Sequence, residues 1–256
     1  MGMSAGACTD LSSGSDTLDI VIATSRNDAG PSADPRWACL DQLAPGDADR
    51  LVPSIELTLP VLDIVSGRAP EGLSARACAK IDVNCGMPVA APTGVEVDGA
   101  VHLDVPQGFD GYVELTSPET VPTMFFLNRE LRRDSTEALN IIGRDALGAL
   151  AARGNVALEP QLGHLLIRTF DCGGAPASGV QVSNNVGGVA FAFIDGLPIA
   201  GVDTTSAQGL AGFVNVPLGY AVLQGVLVEE SRLLGTSNVV VREGWLSYGD
   251  VEPLPQ

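Results

Sequence analysis

Two histidines in 256 residues leave little from which to build general acid–base or nucleophilic chemistry. A Ser-His-Asp triad would have to use one of them. No Walker A or dinucleotide fingerprint occurs, and Gly187-Gly188 is an isolated loop pair. No apolar run approaches the ~18 to 20 residues that span a bilayer. Cations are scarce too: 14 Lys and Arg stand against 31 Asp and Glu, a formal charge of −17. A nucleic-acid duplex or an anionic membrane surface repels such a chain, and no basic cluster offsets this, so nucleic acid is not an expected partner. The surplus acid is read first as a solubility device.

What the chain does contain is apolar residues, glycine, proline and cysteine. Hydrophobic residues make up 45%, enough to bury a core, and 30 Gly and 17 Pro punctuate the sequence. Five cysteines, Cys8, Cys39, Cys78, Cys85 and Cys172, carry no Cys-x-x-Cys, and neither histidine lies at ligand spacing from one. No metal site is therefore assigned. Cys78 and Cys85 suit a short bridged loop; Cys39 and Cys172 then form a long-range pair, with Cys8 left over. That division fits an oxidising compartment, while five buried thiols are the alternative. The start of the chain lacks a basic segment followed by an apolar one. Ser4-Ala5-Gly6-Ala7-Cys8 nevertheless resembles the end of a lipoprotein signal, which makes Cys8 a candidate lipid anchor and that anchor the expected membrane contact.

One stretch occurs twice. Asp98-Gly99-Ala100-Val101-His102-Leu103-Asp104-Val105-Pro106-Gln107-Gly108-Phe109 is echoed by Gln208 to Tyr220, each a Gly-bearing turn, a short strand, then Val-Pro-x-Gly and an aromatic. The landmarks preceding them also correspond: Gly-x-Ala-Pro opens at Gly67 and at Gly173. The expected organisation is an N-terminal arm over 1–50, a β module over 51–128, a helical connector over 129–160 and a second β module over 161–256. Within the arm, Thr17 to Thr24 reads as one strand, and Trp37 as a residue packed beside Cys39. Within the modules, Ile55-Glu56-Leu57-Thr58-Leu59 and Leu73 to Cys78 alternate apolar and polar, the mark of half-buried strands. In the connector, Asp134-Ser135-Thr136-Glu137 has the form of a capping box, and Ala138, Leu139, Ile142, Ala146, Ala149 and Leu150 recur at helical spacing up to Arg153 and Gly154.

Gly173-Gly174-Ala175-Pro176-Ala177-Ser178-Gly179-Val180-Gln181-Val182, with Thr204 to Tyr220, resembles the carboxypeptidase regulatory-like domain, a transthyretin-like (Ig-like) β-sandwich. Residues 55–128 are similar but poorer. The resemblance implies a mainly β chain of two tandem sandwiches joined by one α-helix. It also implies a non-catalytic bacterial envelope protein, secreted or lipid-anchored, that binds or scaffolds a protein or glycan of the cell surface. The alternatives are a hydrolase working through acidic residues and an accessory subunit of a larger surface complex.

Two catalytic relatives of that architecture fit poorly. The hydroxyisourate hydrolases depend on a C-terminal Tyr-Arg-Gly-Ser, where this chain has Glu252-Pro253-Leu254-Pro255-Gln256. The intradiol dioxygenases need a His-x-His near tyrosines, whereas His102, His164, Tyr112, Tyr220 and Tyr248 are dispersed. Both histidines are read as surface residues, His102 beside Asp104. No catalytic residue is assigned and no cofactor is expected; calcium alone is left open, through the loop oxygens of Asp82, Asn84, Asp98, Asp104, Asp110 and Asp203.

Overall fold

The computed structural model describes residues 34–40, 52–96 and 99–253. Cys8 and the strand expected over Thr17 to Thr24 lie outside the described residues. A 3-10 turn, Pro35–Trp37, comes first, its start capped by the Asp34 side chain. The first half then runs through β1 (Ser54–Asp63), β2 (Ser74–Ala79), β3 (Ala90–Gly94), β4 (Ala100–Pro106), β5 (Gly111–Thr116) and β6 (Thr123–Phe126). Two short strands, β7 (Ser135–Thr136) and β8 (Leu139–Ile141), precede the helix α1 (Arg144–Arg153). The second half contributes β9 (Gly163–Thr169), β10 (Val180–Asn184), β11 (Val189–Ile194), β12 (Leu197–Ala200), β13 (Leu210–Val216), β14 (Gly219–Leu227), β15 (Arg232–Val241) and β16 (Leu246–Val251). Among the described residues the protein is mainly β with one α-helix.

The strands form three layers. A nine-stranded sheet, β12-β11-β13-β9-β16-β6-β5-β2-β3, draws on both halves of the chain. The last strand, β16, closes it, lying parallel to β9 on one side and to β6 on the other. A small sheet of β4, β1, β7 and β8, together with α1, covers one face; a three-stranded sheet, β10-β14-β15, covers the other. Strand pairing recurs between the halves. β1 pairs β4 as β9 pairs β13, and β2-β5-β6 runs in the same order and sense as β10-β14-β15. The corresponding strands occupy opposite layers: β4 is in an outer sheet and its counterpart β13 in the central one.

Two apolar cores result, one on each face of the central sheet. Val113, Leu115, Phe125, Leu166 and Tyr248 meet Leu57, Leu59, Val101 and Leu103 on the first face. Tyr112, Met124, Phe126, Leu165 and Ile167 meet Val180, Leu223 and Val239 on the second. A strand buried on both faces has no reason to alternate, and apolar side chains there each contribute about 1.5–3 kcal/mol by leaving water. The runs Met124-Phe125-Phe126 and Leu165-Leu166-Ile167 follow from this, as does the uninterrupted burial of β16. Gly249 marks how closely the layers approach, because a Cβ at that position would sit 2.7 Å from Leu223 Cδ1.

The helix begins later than its sequence pattern indicates. Ser135 and Thr136 extend alongside Leu57 and Thr58, and Leu139–Ile141 pairs with Val61–Asp63, so the first half of the expected helix is strand. Asp134 accepts from the Glu56 amide instead of capping a helix. The edge of β1 offers unpaired backbone groups, and its ladder overrides a capping motif whose Ser and Thr have low helix propensity. The true N-cap, Gly143, has no side chain to cap with. Its amide donates instead to Asp63, which also takes the Val65 and Ser66 amides; these bonds outweigh the cost of burial and hold that carboxyl below its ordinary range.

Candidate functional site

The cysteines supply the first fixed points. Cys39 is bridged to Cys172 and Cys78 to Cys85, with Cα–Cα distances of 5.7 and 5.3 Å. The first bridge ties the 3-10 turn to the second half, where the Cys172 amide donates to Arg36 O and Trp37 is buried in the second core. The second closes the turn after β2. Among the described residues, the one group of three His, Cys, Asp or Glu side chains close enough to share a metal is Cys78, Cys85 and Glu114. Two of those three ligands are already consumed by their own bond.

The β2–β3 loop is an exposed feature braced from several sides. Asp82 caps it internally, its two carboxylate oxygens accepting the Gly86 and Met87 amides at 3.0 and 2.8 Å. Those hydrogen bonds hold the Asp82 carboxyl below the usual range. Cys85 takes a left-handed backbone (φ 50°), unusual for a side chain with a Cβ. From beneath, Tyr112 Oη donates to Asp82 O at 2.5 Å, and Arg242 donates to Val83 O. Arg242 also donates to the Tyr112 hydroxyl at 2.7 Å and pairs with the buried Glu114, whose other oxygen accepts from Arg76 at 2.7 Å. This scaffold holds up Ile81, 91% exposed, and Met87, 81% exposed.

A second arginine joins the halves on the opposite face. Arg168 of β9 makes two bonds to Asp250 of β16, at 2.7 and 2.6 Å, and a third at 2.7 Å to Ala138 O in the segment between β7 and β8. Its guanidinium lies 5.1–5.3 Å from the ring centres of Phe125, Phe170 and Tyr248. Burial opposes its charge, yet the bonds to Asp250 outweigh that and raise its pKa. Burial pushes the Asp250, Glu137 and Glu252 carboxyls up, with Arg168 drawing the first two partway back and Arg129 the third.

Neither arginine cluster was among the candidate residues read from the sequence. The available signal was a charge inside an apolar run: Glu114 in Tyr112-Val113-Glu114-Leu115, Arg168 after Leu165-Leu166-Ile167, and Asp250 after Tyr248-Gly249. In a strand buried on both faces such a charge needs a partner.

The remaining candidates disperse. Tyr112 and Tyr248 are buried in different cores, Tyr220 is exposed, and His102 pairs with Glu56 across the β1–β4 ladder. Of the loop oxygens considered for calcium, Asp110 pairs with Lys80 and Asp203 accepts from Gln181 and Thr204; Asp98 lies outside the described residues. A groove of about 280 Å³ runs between the helix end at Arg153 and the exposed strand β12, and a void of about 10 Å³ beneath α1 is lined by Leu147, Leu150 and Phe193.

His164 corrects its surface reading: it is buried in β9, and burial pushes its imidazole below the usual histidine range. A folded pKa below the unfolded one means the unfolded chain binds the extra proton first. Stability is therefore complete above pH ~6.5 and falls as the pH drops through that value. Denaturant titrations between pH 7.5 and pH 5 should show a slope that His164→Leu reduces by up to about 1.4 kcal/mol per pH unit. An unchanged slope would place the responsible proton elsewhere.

No protein-family model matches the chain, and no curated protein matches it in sequence. Solved structures that a comparison of folds returns include the Bacillus anthracis TIE protein, at 13% identity and TM-score 0.27 over 78% of this chain and 34% of that one. The shaft pilin SpaA of Lactobacillus rhamnosus GG matches at 11% identity and TM-score 0.25, over 79% of this chain and 98% of that one. A streptococcal ancillary pilin matches at 11% identity and TM-score 0.26, over 79% and 69%. This chain spans about a third of the TIE chain.

Proposed function

We propose that this chain is a non-catalytic binding or scaffold protein of the cell envelope, exported and lipid-anchored through Cys8, that engages a protein partner through the β2–β3 loop. The observation that carries the reading is the braced display of Ile81 and Met87. A single exposed apolar side chain needs no explanation, but Ile81, Met87 and Val89 stand exposed together on one loop, and apolar surface grouped in this way marks an interaction site. Here the tip is locked by a disulfide, Tyr112 and Arg242, so little ordering entropy is lost on binding. Aliphatic and thioether side chains suit an apolar protein pocket; a glycan would call for an aromatic platform. Two bridged cysteine pairs support an oxidising compartment. The recurring strand pairings support a tandem origin for the two halves. Pro92 and Pro198 on the edge strands of the nine-stranded sheet point to loops and faces rather than that sheet's edges as contact surfaces.

Protein purified from its native host, alkylated before and after reduction, tests the compartment by intact mass. Four cysteines should be protected until reduced and Cys8 should carry lipid. Five free thiols would overturn the envelope assignment. A photo-crosslinking residue at position 81 tests the loop: one discrete protein adduct is expected in intact cells, lost when Met87→Asp is added. No adduct at that position would rule out the loop as the contact.

A further inference from the structure

The outer face of the β10-β14-β15 sheet carries a second pattern, independent of the display loop and of the compartment. Along β14 and the residue after it, the outward side chains are Tyr220, Val222, Gln224, Val226 and Val228. Tyr220 is 67% exposed, Val228 50% and Val222 41%. The order is apolar, apolar, amide, apolar, apolar: symmetric about Gln224. Across the sheet, Ser183 and Thr236 lie in register with Gln224 on either side, making a row of three uncharged groups that each donate and accept. No carboxylate or cation stands among these seven residues, on a chain with 31 acidic and 14 basic groups.

We propose that this face is the contact between two copies of the chain, packed about a twofold axis that lies along the Ser183-Gln224-Thr236 row. Such an axis reverses β14, so Tyr220 and Val222 of one copy cover Val228 and Val226 of the other. The row on the axis meets itself, which amides and hydroxyls tolerate and charges do not. Any contact through charged surface would set two chains of −17 against each other; the row on this axis carries no charge of its own, with Asp203 beside Gln181 and Glu229 after Val228 at its borders. Three strands about 4.8 Å apart and nine residues of about 3.4 Å give a footprint of roughly 400 Å² per copy. That is about half of a standard interface, so the dimer is weak and reversible, and it strengthens as salt screens the acidic surfaces.

Sedimentation equilibrium of the oxidised full chain, from low micromolar to submillimolar concentration at two ionic strengths, tests the assignment. A monomer–dimer equilibrium favoured by salt is expected. Gln224→Lys lowers the net charge but sets two cations on the axis, and Gln224→Glu sets two anions there; each should weaken the dimer roughly tenfold or more. Position 224 is exposed, and an unchanged thermal melt confirms that each variant folds. A monomer at every concentration, or a dimer indifferent to Gln224→Lys, overturns the proposal and leaves the face to another occupant, such as a neutral polysaccharide.

Discussion

Arg168→Met is expected to lower the unfolding free energy at neutral pH by about 3–5 kcal/mol, the cost of leaving a buried carboxylate without its partner. The side chain it replaces makes two bonds to Asp250 and one to Ala138 O, so its loss uncouples β9 and β16 from the segment that carries Glu137. Methionine fills most of the volume among Phe125, Phe170 and Tyr248, which separates the electrostatic loss from a cavity. Guanidinium titrations measure the effect as a lower midpoint. Two controls follow from the mechanism. Adding Asp250→Leu removes the stranded charge and should recover most of the loss. The pH dependence should also steepen with the chemistry: burial already raises the folded pKa of Asp250 above the unfolded value near 3.8, and without Arg168 to draw it back it rises further, so the folded state holds its proton to higher pH. The deficit of Arg168→Met is then smallest near pH 4 and grows as the pH rises toward 7. A deficit that is flat with pH, or a double variant no better than the single, would show that packing and not charge pairing governs this junction.

Removing the Cys39–Cys172 bridge with paired alanines should cost about 2–5 kcal/mol, approaching the upper end because the bridge closes a separation of 133 residues. Removing Cys78–Cys85, seven residues apart, should cost about 2 kcal/mol by the same chain-entropy argument. The two losses differ in kind as well as size. Cys39 is the covalent tie of the segment 34–40, whose Trp37 side chain is buried in the second core. Detachment would expose that indole, so the Cys39→Ala/Cys172→Ala variant should show red-shifted tryptophan emission before global unfolding. The Cys78→Ala/Cys85→Ala variant should leave the emission alone and loosen the β2–β3 loop, read as faster proteolysis near Ile81. Equal midpoints for oxidised wild type and the Cys39/Cys172 variant would sink the claim that this bridge stabilises the fold.

Much of the secondary structure was legible because its signals are local. Alternation marks Ile55 to Leu59 at β1, where the outer sheet has one wet face. Turn residues and the Val-Pro-x-Gly ends locate β4 and β13. The helix was half legible: its apolar spacing is real from Arg144 onward, but Ser135 to Ile141 obeys the open edge of β1, an influence from nearly 80 residues away. Of the site residues, short spacing suggests Cys78–Cys85 and leaves Cys39–Cys172 only as the remaining pair. Glu114, Arg168, Arg242 and Asp250 could not be paired, because their partners lie between 30 and 159 residues distant.

A mainly β chain with one helix, an acidic surface and paired cysteines thus follow from composition and from patterns that span a few residues. The number of layers does not. Whether a strand has one dry face or two depends on what stacks above and below it, and His164 changes from a surface group to a buried base on that point alone. The placement of β16 between the two halves, the charge pairs it requires, and the loop that Arg242 holds in place all arise from contacts between distant segments. Chain connectivity does not encode such contacts locally; they exist because burying both faces of the central sheet removes the most apolar surface from water.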